Sequence, residues 1–255
     1  MNFDWSSFVH YLFVPSSVYL YGLFLTVSLS VISEASGVVI GTAVALARLS
    51  RFRSVDVAMR FYIWLFRGTP LLVQIIFFYT ALAAANVFRF HQVNLGFMTI
   101  PGNIQAGVVA LSLHEGAYMA EIVRAGIDSV PKGQLEAGRS LGLSYAEIMR
   151  HVVLPQAARF VIPPVGNQFN LMLKNTSLLS VIGVPELLFT TETMTSVTFQ
   201  VFELYSVVAL YYLTLTTIWG FVQKGLERKY GDHTAVDKGS AGAAGLKGFL
   251  RWAFS

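Results

Sequence analysis

The chain has 255 residues, 55% of them hydrophobic and only 13% charged, with a mean hydropathy of +0.59. An ordinary soluble domain carries about 25% charged residues, so these long apolar runs exclude a typical soluble enzyme and mark an integral membrane protein. The absence of cysteine excludes disulfides and thiolate metal sites, and the net charge of +4 reads as loops facing anionic lipid rather than as a nucleic-acid surface.

Residues 1–17 contain no Lys or Arg. The basic region of a cleavable signal is therefore missing, and the first apolar segment is expected to persist. Five membrane-spanning helices are predicted along the chain. The first covers Val18–Ala47 and carries Glu34 near its middle. Its small residues Ser33, Gly37, Gly41 and Ala45 recur every four positions, which suits close helix packing within the chain. For Glu34 the expectation is an internal hydrogen bond or a dimer contact. The second span, Thr69–Val87, follows an amphipathic lead-in from Val55 to Arg67.

The third span, Ile104–Ala125, carries His114, Glu115 and Glu121. Ionisable groups at the bilayer centre cost at least about 2.5 kcal/mol each and should face the interior or water. Glu115 shares a helix face with Tyr118 and with Ser112, three residues away on either side. That face is expected to line a cavity and meet a substrate ammonium group. Glu121 is expected to pair with Arg124 at i, i+3. The fourth span, Phe160–Leu173, is short, and Pro163-Pro164 is expected to break it. Asn167, Gln168 and Asn170 then become candidates for contact with a polar solute or for helix–helix hydrogen bonds. Thr176 or Ser177 is a candidate cap for the next short helix. The fifth span is Phe202–Val222. Beyond it, Gly231–Gly245 reads as a flexible linker, and Leu246–Ser255 as either disordered or lying on the membrane surface.

Basic residues alternate between the loops. Arg48, Arg51, Arg53, Arg60 and Arg67 lie between the first two spans, and Lys132, Arg139, Arg150 and Arg159 between the third and fourth. Lys224, Arg228 and Lys229 follow the fifth, whereas the remaining loops hold only Arg89 and Lys174. The positive-inside rule then places the N-terminus outside and the C-terminus inside, which requires an odd number of spans.

The long inner loop, Gly133–Pro155, is unusually structured for its setting. A helix is predicted from Lys132, ended by Gly142 in a left-handed cap. Ser144 and Glu147 form a Ser-x-x-Glu capping box for a second helix that runs toward His151 and stops before Pro155. Such a hairpin either lies on the membrane or fits a cleft in a partner, with Glu136, Arg139 and Arg150 supplying polar contacts.

The series Glu136-Ala137-Gly138, Gly142, Ile148 and Leu154-Pro155 resembles the EAA loop of ABC importer permeases. Its surroundings resemble the polar amino acid branch of histidine, glutamine and glutamate permeases. They include Arg67-Gly68-Thr69-Pro70-Leu71-Leu72, Tyr118 with Ala120-Glu121, Arg124-Ala125-Gly126, Gly133-Gln134, Leu154-Pro155-Gln156-Ala157 and Lys174-Asn175-Thr176-Ser177-Leu178. The likeness covers residues 17 to 228; Gly138 departs from it, since many members have a second Ala there.

The resemblance implies an all-α integral membrane protein with the type I importer permease fold. It implies a segment 1–17 on the periplasmic side, a transmembrane domain over 18–230 and a cytoplasmic tail from 231. The implied function is import of polar amino acids across the bacterial inner membrane, by alternating access and without a cofactor. Gly133, Glu136, Ala137, Gly138, Arg139, Gly142, Ile148, Leu154 and Pro155 would couple to an ATPase. The chain has no G-x-x-x-x-G-K-[ST] phosphate loop, so the ATPase is a separate subunit. A second permease chain, identical or homologous, and a soluble or lipid-anchored amino acid binding protein are the other implied partners. Glu115, Tyr118, Glu121, Asn167, Gln168 and Asn170 are the candidate substrate pathway.

Two other classes compete. A stand-alone secondary transporter would usually show paired internal repeats, and none is convincing. A membrane metalloenzyme could begin from His114-Glu115, but Tyr118 stands where H-E-x-x-H needs its second histidine.

Overall fold

The computed structural model describes residues 3–50, 52–96 and 99–230. Helix α1 (Trp5–Phe13) is capped by Asp4, whose carboxylate accepts from the backbone of Ser6 and Ser7. Helix α2 (Ser17–Ala47) follows, capped by the Ser16 hydroxyl. Helix α3 (Arg53–Gly68) meets α4 (Leu71–Ile76) at a bend of 107°. Thr69 makes this corner in extended conformation, as a residue before proline prefers. A π turn, Phe77–Ala81, carries α4 into α5 (Leu82–Ala84). Strands β1 (Val93–Asn94) and β2 (Thr99–Ile100) form one antiparallel pair. The remaining helices are α6 (Gly102–Asp128), α7 (Lys132–Ser140), α8 (Tyr145–Ile148), α9 (Leu154–Asn175), α10 (Leu187–Thr198) and α11 (Val201–Tyr230).

Helices α2 and α11 are each long and apolar enough to cross a membrane alone. The bent pair from α3 to α5 and the segment from α8 to α10, bent by 48°, reach the same criterion as pairs. Helix α6 has 27 residues, about 40 Å of helix, and interrupts its apolar run with the charged residues noted above. The five predicted segments thus fall on α2, α4–α5, α6, α9 and α11. The expected tail features at Gly231–Gly245 and Leu246–Ser255 lie outside the described residues.

By its contacts the chain divides into two compact units, Met1–Arg124 with Asn167–Phe221, and Ala125–Gly166 with Val222–Ser255. The first is built on a core of Leu25 and Leu29 from α2, Leu71 and Ile75 from α4, Ala110 and Leu111 from α6, and Met172, Leu179 and Ile182. A second cluster joins Tyr19, Leu187, Val207 and Val208, onto which Phe8, Tyr11 and Leu12 of α1 pack. The second unit has its own core of Val130, Ile148, Val153 and Ala157.

Two boundaries differ from the sequence reading. Pro163-Pro164 does not break the fourth segment: α9 runs through both prolines. Each proline removes one backbone bond, but tertiary packing holds the helix. Gly126 on α6 leaves no space for a side chain against Val161 and the Ala157 carbonyl, so α6 and α9 lie in close contact. Nor does the second loop helix stop before Pro155. It widens into a π turn, Met149–Val153, whose closing bond runs from the Leu154 N–H to the Met149 carbonyl. The wider turn accommodates the proline ring, which would otherwise press on the carbonyl one turn back.

Candidate functional site

The loop from Lys132 to Val153 folds as expected at its central turn. Gly142 adopts a φ of +76°, which favours glycine, and terminates α7. The capping box of α8 is complete. The Glu147 backbone N–H donates to the Ser144 hydroxyl, and Ser144 donates from its hydroxyl at 2.6 Å and its backbone N–H at 2.8 Å to Glu147 Oε2. The hydroxyl bond, then the backbone bond, holds the Glu147 carboxyl below its ordinary range.

The resemblance-derived residues sort into two kinds. Gly133, Glu136, Ala137, Arg139, Gly142, Leu154 and Pro155 are exposed, whereas Gly138 and Ile148 are buried. A Cβ on Gly138 would stand 2.8 Å from Ile148 Cγ1. Glycine here makes the notch that Ile148 fills, clamping α7 to α8. The sequence reading missed the tip of the loop, where Leu141, Leu143 and Tyr145 are exposed, Leu141 at 79%. Apolar residues flanking a capping glycine in a polar loop were the available signal. A rigid knob with a polar side at Glu136 and Arg139 and an apolar tip is suited to a cleft in another protein.

Within the other unit, α2 and α6 cross closely. A Cβ on Gly37 would meet Glu115 Cβ and Cγ at 2.7 Å, and one on Gly41 would meet Met119, the Ala120 backbone and the Gly116 carbonyl. The stripe Ser33, Gly37, Gly41 and Ala45 is buried throughout, so it packs within the chain as expected. Glu115 is 1% exposed and accepts from Gln168 Nε2 at 3.1 Å. This joins two of the predicted pathway residues. Asn167 is exposed and Asn170 half-buried on the same helix. Glu34 is buried, yet neither of its oxygens has a hydrogen-bond partner among the described residues. Of the two expectations for Glu34, the internal hydrogen bond is absent among the described residues.

Tyr118 is half-buried beside His114, with ring centroids 5.1 Å apart, and the Arg67 guanidinium lies 5.2 Å from its ring centre. Glu121 accepts from Arg48 Nη1 at 2.7 Å and stands 3.9 Å from Arg67. Its carboxylate reaches across to α2 and α3, a partnership that spacing along one helix cannot reveal. Thr176 and Ser177 do not cap forward. Their hydroxyls donate back to the carbonyls of Leu173 and Lys174, within a 3-10 turn, Thr176–Ile182.

Gln74 was not singled out from the sequence. It is 6% exposed; its amide donates to the Phe66 and Thr69 carbonyls and the Thr69 hydroxyl, and its Oε1 lies 3.0 Å from His114 Nδ1. An amide oxygen only accepts, so Nδ1–H is the donor. His114 is thereby tied to the corner of α3 and α4 and is not free to act as a metal ligand through that nitrogen.

Residues 37–232 match the family described as the inner membrane component of binding-protein-dependent transport systems. The chain is 39% identical over 226 residues to the probable glutamine ABC transporter permease protein GlnM of Bacillus subtilis, covering 87% of this chain and 99% of that one. It is 37% identical over 229 residues to the glutamine transport system permease protein GlnP of Escherichia coli, covering 90% and 98%. A crystal structure of an amino acid ABC transporter with histidines superposes with a TM-score of 0.78 at 36% identity, over 90% of this chain and 100% of that one. An inward-facing MetNI methionine ABC transporter has the same fold at 17% identity, with a TM-score of 0.68 over 84% and 97%.

Proposed function

The chain belongs to the family of inner membrane components of binding-protein-dependent transport systems, and from that premise we propose that it imports polar amino acids, powered by ATP hydrolysis on a separate subunit that grips the α7–α8 loop. It is a transport permease subunit and not an enzyme. The observation that carries the coupling role is the loop's division into a buried clamp, Gly138 on Ile148, and an exposed face bearing Glu136 and Arg139. The clamp fixes the spacing of these polar side chains, which suits recognition by a protein cleft. Relatives named for glutamine carriage support the amino acid class.

In this reading the loop is cytoplasmic, α1 is periplasmic and the C-terminus is inside, following the basic-residue alternation. The transmembrane domain spans 18–230, and a second permease chain completes the pathway. Substrate passes the polar face of Glu115, Tyr118, Gln168, Asn167 and Asn170. Closure of two ATPase subunits draws two loops together and rocks the helices that frame this face. Uptake into vesicles tests the proposal. With the ATPase and binding protein co-reconstituted, radiolabelled amino acid accumulates only when ATP is supplied. Equal accumulation without ATP, or without the ATPase, removes the importer reading in favour of a secondary transporter.

A further inference from the structure

Helix α3 forms the amphipathic lead-in seen in the sequence and takes no part in the proposed transport path. One side of it is packed. Ile63 is buried with Val44 of α2 and Ala120 of α6, Met59 and Tyr62 join them, and the Tyr62 hydroxyl donates to the Leu113 carbonyl at 2.6 Å. Both ends are tied to one ion-pair cluster. Asp56 in the first turn lies 3.5 Å from Arg48, Arg48 holds Glu121, and Glu121 stands 3.9 Å from Arg67 in the last turn. Arg48 is the C-terminal cap of α2. Helix α3 thus bridges from the end of α2 to α6. Its 107° corner turns it away from the direction of α4 and α5. With α4–α5 crossing the bilayer, α3 lies close to the membrane plane.

The outward side carries two strips. Val57, Phe61 and Trp64 are 56%, 58% and 68% exposed, with the Phe61 and Trp64 rings 5.7 Å apart. Beside them the exposed Arg53, Arg60 and Arg67 recur every seven residues, within about 40° of one line along the helix. Arg48, Arg53, Arg60 and Arg67 outnumber Asp56 and Glu121, so the helix and its anchor keep an excess of positive charge. Water alone would leave the apolar strip exposed at a cost, and hydrocarbon alone would strand the arginines. The boundary between hydrocarbon and anionic headgroups satisfies both strips at once. Tryptophan settles at that level, and a helix whose apolar face is bordered by basic residues lies in its plane.

We propose that the outward face of α3 is a docking surface for anionic phospholipid, with Val57, Phe61 and Trp64 in the acyl boundary and Arg53 and Arg60 on headgroup phosphates. With the loops oriented as proposed above, this is the cytoplasmic leaflet; the inference rests on that orientation for the choice of leaflet alone. Protein holds one side of α3 and lipid the other, so the helix is fixed at the membrane edge where it meets α2 and α6.

Site-specific photocrosslinking in native membranes tests it. The photoreactive residue p-benzoylphenylalanine replaces Phe61 in one variant and Trp64 in another, each co-expressed with the ATPase, whose co-purification verifies folding. Illumination is expected to yield permease carrying the mass of one phospholipid. Phosphatidylglycerol is expected among the adducts at about fivefold over its share of the membrane, the worth of one basic residue at an anionic surface. In an Arg53→Gln/Arg60→Gln background the lipid adducts are expected to persist while that enrichment falls by at least about twofold. A permease–permease or permease–ATPase adduct in place of lipid, or no adduct, overturns the lipid-facing surface. Phosphatidylglycerol at its bulk share, or an enrichment unchanged in the double variant, overturns the headgroup contact. Orientation is read separately. The chain has no cysteine, and Arg89→Cys is expected to react with a membrane-impermeant maleimide on intact spheroplasts. Reaction only after lysis overturns the orientation and moves the surface to the other leaflet.

Discussion

At the scale of single residues, charge partners decide what each ionisable group does, and helix spacing alone finds only some of them. Spacing along α6 offers Arg124 as a partner for Glu121; across the helices its carboxylate lies 2.7 Å from Arg48. The Arg48 side chain is 8% exposed and the Glu121 side chain 36%. Solvent screens the glutamate, while the guanidinium is costly to leave alone. Glu121→Gln is therefore expected to destabilise by about 1–2 kcal/mol, seen as a drop of a few degrees in the thermal unfolding midpoint in detergent. Arg48 also lies 3.5 Å from Asp56, so the loss is partial. An unchanged midpoint would mean that this pair does not tie α6 to α2. Glu115 and Gln168 were both legible as polar residues inside apolar segments, because such residues are expensive without a task. Their meeting was not legible, since 53 residues of chain separate them.

At the scale of elements, the caps and the loop helices were readable because they depend on neighbours only a few residues apart. The Ser144–Glu147 box and Gly142 behave as local chemistry dictates. Proline as a breaker was the weaker rule here: α9 passes through Pro163-Pro164, and a π turn absorbs Pro155. Gly138 shows how a propensity argument misleads. Alanine would gain about 1 kcal/mol of helix propensity, yet its methyl would press on Ile148 Cγ1 at 2.8 Å, and overpacking costs about 1–3 kcal/mol. Gly138→Ala alone is expected to lower stability or leave it flat. In an Ile148→Ala background the same change is expected to stabilise, a coupling of about 1–3 kcal/mol in a double-mutant cycle. Additive effects of the two changes would show that the clamp is not formed.

At the scale of the whole molecule, the exposed residues of the loop are the ones available to a partner. Glu136→Arg reverses the charge on the proposed docking side without touching the Gly138–Ile148 clamp. It is expected to cut co-purification of the ATPase by at least about tenfold, with membrane insertion and detergent-extracted yield unchanged. Full retention of the ATPase would place the docking contact elsewhere, with the apolar tip of Leu141 and Tyr145 as the next surface to vary.

Membrane class, approximate spans, the basic-residue alternation and the loop's caps were all written in the amino-acid order. Each depends on composition or on interactions between near neighbours, which a linear string preserves. Only the tertiary structure decided that Glu121 reaches Arg48, that both Glu34 oxygens lie buried without a hydrogen-bond partner among the described residues, and that Gly138 receives Ile148. Those outcomes follow from which helices approach, in what register and how closely, and the close approach at Gly37 and Gly41 is set by packing across the fold.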